Sequence, residues 1–258
     1  MVSIDLSGKG ALVMGVANHR SLSWAIAQQL HAAGARLCLT YAGDRLKDMV
    51  GELAATLPGT LVLECDVTKD ATIDAVRERL EKEWGGLELL VHGVAFARKE
   101  DLKGLFVATP REGFQLALDV SAYSLLNVTN RMLPLLEKNG ATIVTLSYLA
   151  AERAVPSYNV MGSAKAVLEQ SVRQLAHELG PKNIRINALS AGPVSTLAAR
   201  GINGFTDMLK KHAEKAPLKR NITKEEVGKA GLFLLSDLSS GITGETLYVD
   251  AGYHIMGW

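Results

Sequence analysis

The sequence predicts an α/β protein built on one doubly wound, mostly parallel sheet of about seven strands flanked by helices. Short apolar runs rich in Val, Leu and Ile alternate with longer amphipathic segments along all 258 residues. Nearly continuous apolarity over five to seven residues is typical of strands that are buried on both faces. Because strand and helix alternate so regularly, right-handed crossovers between parallel strands are expected. We therefore expect a single domain over residues 1–258.

Seven apolar runs are predicted as strands. They begin at Ala11, Arg36, Thr60, Leu87, Ala141, Ile184 and Thr246. The segments between them have the periodicity of amphipathic helices, which we place at about 22–33, 44–56, 71–84, 111–137, 158–179 and 225–235. Two long irregular stretches remain, at 93–110 and at 191 to about 204. Loops of that length commonly bind ligands.

Composition and charge exclude several classes of function. The 28 basic and 27 acidic residues leave a net charge of +1, so the sequence does not indicate binding to nucleic acid or to an anionic membrane. The sequence has no signal-peptide pattern and no 18-residue apolar stretch, so we expect a cytoplasmic protein without a membrane span. Cys38 and Cys65 fall in or at the end of predicted strands and are interpreted as small hydrophobes. The six histidines lack ligand spacing, so no metal is expected.

Tyr158 and Lys165 are the strongest catalytic candidates. They lie seven residues apart at the head of a predicted helix, and seven residues make nearly two helical turns, so both side chains are expected on one face. That face is otherwise apolar down to Leu179 and should point inward. A lysine there is costly without a partner. The alternative is a core tyrosine and a lysine whose head reaches solvent.

The segment after the first strand has the parts of a dinucleotide site. Gly15 ends the strand and a helix is predicted from Leu22, and free amides at a helix N-terminus favour a pyrophosphate. The G-x-G-x-x-G spacing is absent, because Gly8 and Gly10 precede the strand. Gly15 could equally form a tight turn of any α/β protein. Asp66, after the third strand, could accept from an adenine amino group or cap a turn.

Several segments together carry a resemblance to a known family. They are GVANHRSLSWAIA, CDV, SYLAAERAVPSYNVMGSAK, IRINALSAGPVSTLAARGI, APLKRNITKEEVG, LSDLSSGITGE and VDAGYHI. The chain resembles, over essentially its whole length, the enoyl-acyl carrier protein reductases, a divergent branch of the short-chain dehydrogenase/reductases in bacterial fatty acid synthesis. In the wider superfamily the catalytic Tyr and Lys are four residues apart, and Gly162 excludes that spacing here. The longer spacing, with Tyr148 ten residues upstream of Tyr158, is typical of the enoyl reductase branch.

The resemblance implies a Rossmann-like fold and a set of cofactor contacts. Gly15, Ser21 and Leu22 would hold the pyrophosphate and the adjacent ribose, Asp66 and Val67 would flank the adenine, and Val94 would pack near the cofactor. The nicotinamide and its carboxamide would meet Val194, Ser195, Thr196, Leu197 and Ala198. Three places depart from the family: many relatives have Ser at Gly93 and Arg at Ser195, and the residues around Ala95 vary.

The implied reaction is the reduction of a trans-2-enoyl thioester by hydride transfer from a reduced nicotinamide to the β carbon. Tyr158 would donate to the thioester oxygen as negative charge develops there, and Lys165 would bind the nicotinamide ribose. Tyr148 would flank the acyl channel, or else be a structural aromatic under the loop. Ala97 would line the substrate entrance, and Met161 and Phe205 the acyl pocket, although the last two could equally be core residues.

The resemblance also implies partners. The substrate would be carried by the acidic acyl carrier protein, for which Arg200, Lys210 and Lys211 are candidate docking charges, with a solvated helix face as the alternative. A homotetramer is the family expectation. The loop at 191–204, within a substrate-binding region near 191–215, is expected to become ordered when cofactor and acyl ligand bind.

The residues after the second strand favour NADH over NADPH. A 2′-phosphate needs a cationic partner there, and family members that use NADPH carry basic residues where this chain has Ala42 and Gly43. Asp44 adds a negative charge next to them. Arg45 could swing back toward the ribose, which leaves NADPH as the alternative cofactor.

Two rival functions remain open from the sequence. One is another short-chain dehydrogenase/reductase that acts on a carbonyl or an alcohol, which the Tyr158 to Lys165 spacing disfavours. The other is a non-catalytic dinucleotide-binding protein, which would not need these two side chains on an inward face.

Overall fold

The protein is built around one parallel sheet with helices on both faces. The computed structural model describes residues 4–196 and 204–257. Within them the strands are β1 Gly10–Met14, β2 Arg36–Tyr41, β3 Leu61–Glu64, β4 Leu89–His92, β5 Ala141–Ser147, β6 Ile184–Ala191 and β7 Thr246–Val249. They pair in the order β3-β2-β1-β4-β5-β6-β7, every pair parallel. The predicted doubly wound, seven-stranded fold is confirmed.

The connecting segments are mainly helical. The helices are α1 Leu22–Ala32, α2 Asp44–Ala55, α3 Asp70–Trp84, α4 Arg111–Leu118, α5 Ser124–Leu136, α6 Val160–Leu179, α7 Phe205–Lys215 and α8 Lys224–Leu235. Helix α7 lies beyond the predicted loop at 191–204 and was not among the predicted helices. The stretch 93–110 is irregular as predicted, apart from a short 3₁₀ turn at Phe106–Ala108.

The prediction of a single α-helix at 111–137 is wrong at residues 119–123. A π-helical segment, Asp119–Tyr123, separates α4 from α5. The hydroxyl of Ser124, the first residue of α5, donates to the carbonyl of Val120 in this segment at 2.7 Å, and the buried Ser121 bonds to Phe96 in another loop. Apolar periodicity does not reveal such an insertion, because it adds one residue to a single turn. Segments of this kind are frequent at functional sites.

The predicted start of α6 is also wrong. The helix begins at Val160, so Tyr158 precedes it. Ser157 and Asn159, on either side of Tyr158, have positive φ values of 62° and 37°, which a right-handed helix does not allow. Tyr158 and Lys165 are therefore not stacked on one helix face, and the side chain of Tyr158 is placed by a turn.

Two apolar cores cover the two faces of the sheet. One contains Leu12 and Leu90 and packs against α3, α5 and α6. The other contains Val13 and Val91 and packs against α1 and α8. Neighbouring strand residues alternate between the two cores, as the period of a strand requires. Within the described residues, no helix combines the length and apolarity needed to cross a membrane.

The sheet order reverses between β1 and β4, which are neighbours although two strands separate them in sequence. In open parallel sheets, ligands bind beyond the carboxyl ends of the strands at such a switch point. The residues that follow β1, β4, β5 and β6 are Gly15, Gly93, Tyr148 and Gly192. The fold thus brings these four residues to one edge of the sheet.

Candidate active site

The carboxyl ends of β1 and β4 approach each other so closely that side chains would not fit between them. A Cβ on Gly15 would lie 2.1 Å from the carbonyl oxygen of Gly93, and Gly15 also has a φ of +84°. A Cβ on Gly93 would lie 1.9 Å from Oγ of Ser23 and 2.9 Å from the carbonyl oxygen of Met14. The space that a side chain at position 93 would need is therefore occupied by Ser23 in this chain.

This geometry predicts unequal effects for two alanine substitutions. We expect Gly15→Ala to destabilise the fold severely, because its clash is with backbone and its φ is unfavourable for alanine. Gly93→Ala should lower the free energy of unfolding by about 1–3 kcal/mol. Adding Ser23→Ala should recover most of that loss, because it removes the shortest contact. Urea unfolding of the two single variants and the double variant checks this, with Ser23→Ala alone as control. Strict additivity of Gly93→Ala and Ser23→Ala would contradict it.

The turn between β1 and α1 suits the pyrophosphate of a dinucleotide. The hydroxyl of Ser21 accepts from the amides of Ala17 and Asn18, at 3.0 and 3.2 Å, and so fixes the turn. It makes no capping bond to α1, which begins at Leu22. The buried hydroxyl of Ser23 has no partner among the described residues. First-turn amides without a side-chain acceptor favour an anion, so the residues present fit a bound dinucleotide.

Asp66 forms a turn after β3. Its Oδ1 accepts from the amide and the hydroxyl of Thr68, at 3.1 and 2.7 Å, and Oδ2 lies 3.2 Å from Nζ of Lys69. Val67 is buried and Val94 packs against the same core. The turn role that the sequence left open is thus present, and the adenine roles of Asp66 and Val67 stay predictions.

Lys165 is buried, with only 5% of its surface exposed. Its Nζ donates to the carbonyl oxygen of Leu146, near the end of β5, at 2.7 Å. Burial lowers the pKa of Lys165 to about 8, and the charge of Glu169 opposes that shift. An inward lysine with a partner was predicted, and here the partner is a backbone carbonyl.

The inward face of α6 is not otherwise apolar, which corrects the sequence analysis. Glu169, one turn beyond Lys165, is 4% exposed. Its Oε1 accepts from the hydroxyl of Ser147, the last residue of β5, at 2.5 Å. Leu168, Val172 and Leu179 are buried as predicted. A charged residue four positions from a buried lysine was the signal available in the sequence.

Tyr148 and Tyr158 form a pair at the end of β5. Their ring centroids are 5.0 Å apart with the planes at 65°, an edge-to-face arrangement. Burial raises the pKa of Tyr148 to about 12, and burial together with the neighbouring Tyr148 raises that of Tyr158 further. Both phenols therefore keep their protons at neutral pH and can act as donors. The hydroxyl of Tyr148 reaches Sδ of Met208 on α7 at 3.5 Å.

Tyr158 belongs to a small apolar cluster that also includes Ala97 and Met161. Three residues predicted to line the substrate site therefore lie together. The loop that carries Ala97 is attached to the π-helical segment by Ser121, whose hydroxyl accepts from the amide of Phe96 at 2.9 Å. Ser121 was not among the predicted site residues, because a serine inside a helical pattern carries no distinguishing signal.

The loop after β6 is only partly described. Val194 packs against the core beside α1 and α8, and the amide of Thr196 donates to the carbonyl of Val194 at 2.7 Å. Ser195 is exposed. Leu197, Ala198 and Arg200 lie outside the described residues, so the predicted roles of those three residues and the predicted ordering of the loop stay predictions.

Helix α7 follows this loop and closes one side of the site. Phe205 is half-buried at its first turn, while Lys210 and Lys211 are exposed. A small cleft lies between Tyr148, Pro193 and His212. His212 is buried, and its Nδ1 lies 3.1 Å from Oδ1 of Asn221. His212 was not among the predicted site residues, since a lone histidine without ligand spacing gives no signal.

Comparison with known proteins agrees with this architecture. Residues 15–254 match the family model described as enoyl-(acyl carrier protein) reductase. Enoyl-acyl-carrier-protein reductase (NADH) FabI of a Nostoc species is 51% identical over 257 residues, covering 98% of this chain and 99% of the relative. The protein of the same name from Bacillus cereus is 52% identical over 254 residues, with the same coverage.

Solved structures give the same result. The Bacillus cereus enoyl-acyl carrier protein reductase, solved with NADP⁺ and indole naphthyridinone, superposes with a TM-score of 0.96 at 50% identity and covers 100% of both chains. The Anaplasma phagocytophilum reductase, solved with NAD, gives 0.95 at 45% identity and covers 100% of this chain and 98% of that one. The chain therefore belongs to the enoyl-acyl carrier protein reductase family.

Proposed function

We propose that this protein reduces the trans-2,3 double bond of enoyl thioesters carried by acyl carrier protein, using NADH, in fatty acid elongation. One observation carries the proposal: a buried Lys165 and an edge-to-face pair of protonated tyrosines lie where β5 ends, at the same edge of the sheet as the turn that follows β1. The names of the relatives, each a reductase of enoyl-acyl carrier protein with NADH, support the same activity.

In this proposal NADH, when bound, would supply a hydride to the β carbon of the substrate, and the α carbon would take up a proton to complete the reduction. Tyr158 donates a hydrogen bond to the thioester oxygen, where negative charge develops as the double bond is reduced. A donor placed for that charge lowers the barrier, because it binds the transition state more strongly than the ground state. The raised pKa of Tyr158 keeps the donor proton in place.

The remaining side chains position the ligands. Lys165 binds the ribose hydroxyls next to the nicotinamide, and its ammonium adds a positive field at the reacting end. Tyr148 lies against Tyr158 on one side and α7 on the other, and so forms a wall of the acyl channel. Ala97 and Met161 supply apolar surface for the acyl chain.

Turnover of a short enoyl thioester with NADH tests the assignment.

We expect the specificity constant kcat/KM for NADH to exceed that for NADPH by about tenfold or more, a difference of about 1.4 kcal/mol. The residues beyond β2, Ala42, Gly43 and Asp44, offer a 2′-phosphate no positive charge. Because the Bacillus cereus relative was solved with NADP⁺, kcat/KM should be measured with both NADH and NADPH. Arg45→Ala serves as the companion variant and should leave the NADH constant unchanged. A larger constant for NADPH in the wild type, lost in Arg45→Ala, would assign the 2′-phosphate to Arg45.

We further propose a cytoplasmic homotetramer. Tyr123, Leu126 and Val167 leave 36–55% of their surfaces exposed on the neighbouring segments around α5 and α6, which fits burial against other copies. The free thiols of Cys38 and Cys65 fit a reducing compartment. Light scattering of the wild type and of Val167→Glu tests the assembly, since a charge in the contact should dissociate it.

A further inference from the structure

Glu169 is a buried acid that the proposed reaction does not use. It lies on the inward side of α6, one turn beyond Lys165, and only 4% of its surface is exposed. Burial raises the pKa of its carboxyl group, and the hydrogen bond from Ser147 opposes that shift. A carboxylate this far from water is costly unless it is paired.

The two buried charges are attached to the same short piece of β5. Nζ of Lys165 donates to the carbonyl of Leu146 at 2.7 Å, and the next residue, Ser147, donates its hydroxyl to Glu169 at 2.5 Å. The residue after that is Tyr148, which packs edge to face on Tyr158. Lys165, Glu169 and Tyr158 are therefore each in contact with one of three consecutive residues at the end of β5.

Several other titratable groups lie near Lys165 and Glu169. On β4, burial together with the charge of Lys165 lowers the pKa of His92 to about 3, so His92 is neutral. The phenols of Tyr148 and Tyr158 stay protonated. Around Glu169, Arg173 lies on the same helix, and Glu152 lies beside the start of α6. Tyr248 on β7 is close enough that Glu169 acts on its pKa, and it too is neutral.

We propose that Glu169 is a positioning residue whose carboxylate, fixed by Ser147, balances the charge of Lys165 and so keeps that ammonium protonated and in place for the cofactor. The inference rests on the proposed ribose role of Lys165. Glu169 contacts neither cofactor nor substrate in this account, and it acts through Lys165. A nearby opposite charge favours the charged form of a lysine, against the desolvation that disfavours it, and the charge of Glu169 acts on the pKa of Lys165 in this direction.

The test is the pH dependence of kcat/KM for NADH, which reports ionisations of the free enzyme. Because Lys165 has a pKa of about 8, the wild-type value should fall on the alkaline side from about that pH. In Glu169→Gln the pKa of Lys165 should fall by about one unit, moving this limb to lower pH. The variant should then differ little from wild type at about pH 6.5 and be roughly five- to tenfold lower at about pH 8.5.

Two further variants separate this role from a structural one. Glu169→Asp keeps the charge and should restore the wild-type limb. Glu178→Gln changes an exposed acid on the same helix and should leave the profile unchanged. An alkaline limb of Glu169→Gln that coincides with wild type, in a variant that keeps its thermal midpoint, overturns the proposal.

The ribose role of Lys165 is tested separately by NADH affinity of Lys165→Ala. If that variant binds NADH weakly while the Glu169→Gln profile is unshifted, the role of Glu169 alone is wrong. If Lys165→Ala binds NADH as tightly as wild type, the proposed function of Lys165 is wrong, whatever Glu169 does.

Discussion

Replacing Tyr158 with phenylalanine is expected to lower kcat by roughly a hundred- to thousandfold, the usual effect of losing one donor to a developing oxyanion. The ring of Tyr158 packs with Ala97 and Met161 and edge to face on Tyr148, and phenylalanine preserves all of these contacts. Affinity for NADH should therefore change little. Steady-state kinetics with a short enoyl thioester, together with calorimetry of NADH binding, separate the two quantities.

Tyr123→Phe is the matched control, because Tyr123 is 55% exposed and lies at the end of the π-helical segment rather than at the end of β5. It should keep wild-type kcat. If Tyr158→Phe also turns over at the wild-type rate, Tyr158 is not the donor, and its position between two positive-φ residues serves only the fold.

Lys165→Ala is expected to weaken NADH binding about 10- to 100-fold, in line with the loss of a hydrogen bond from a charged group. The rate should fall as well, because the nicotinamide would no longer be fixed against the substrate. Part of the effect would come from Glu169, which the substitution leaves buried without its neighbouring positive charge. Calorimetric titration with NADH measures the affinity directly.

Lys229→Ala, on the exposed side of α8, controls for the loss of a positive charge and should bind NADH normally. Wild-type affinity in Lys165→Ala, with a folded circular dichroism spectrum, would remove the ribose contact from the account. A loss of rate alone would then point to a role of Lys165 in the chemical step.

The fold was predictable because its strands are buried on both faces and so leave long apolar runs in the sequence. The core residues Leu12, Val13, Leu90 and Val91 illustrate this, since both faces of β1 and β4 are covered. The interruption between α4 and α5 was not predictable. A π-helical turn keeps the apolar pattern on both sides of it and only shifts the phase, so the single helix at 111–137 was the simpler interpretation.

The sequence predicted which residues belong to the candidate site better than it predicted how those residues are arranged. Tyr148 and Tyr158 pack against each other, and Lys165 bonds to Leu146, two residues before Tyr148. The prediction that one helix carries both Tyr158 and Lys165 is wrong, because positive φ values at Ser157 and Asn159 place Tyr158 in a turn before the helix. The exclusion of a side chain at Gly93 depends on Ser23, seventy residues away in sequence. Such long-range contacts arise only from the packing of one strand end on another element.

The most direct test of the account is product analysis with a crotonyl thioester and NADH carrying deuterium at the transferred position. We expect oxidation of the cofactor and a butyryl thioester with one deuterium on the former β carbon. Wild-type enzyme, Tyr158→Phe and Tyr123→Phe should be run side by side. A 3-oxo thioester should be tested as a second substrate. Reduction of that thioester without reduction of the crotonyl thioester would identify a carbonyl reductase of the same fold. Tight NADH binding with no turnover of either thioester would contradict the account and indicate a dinucleotide-binding protein without this catalytic activity.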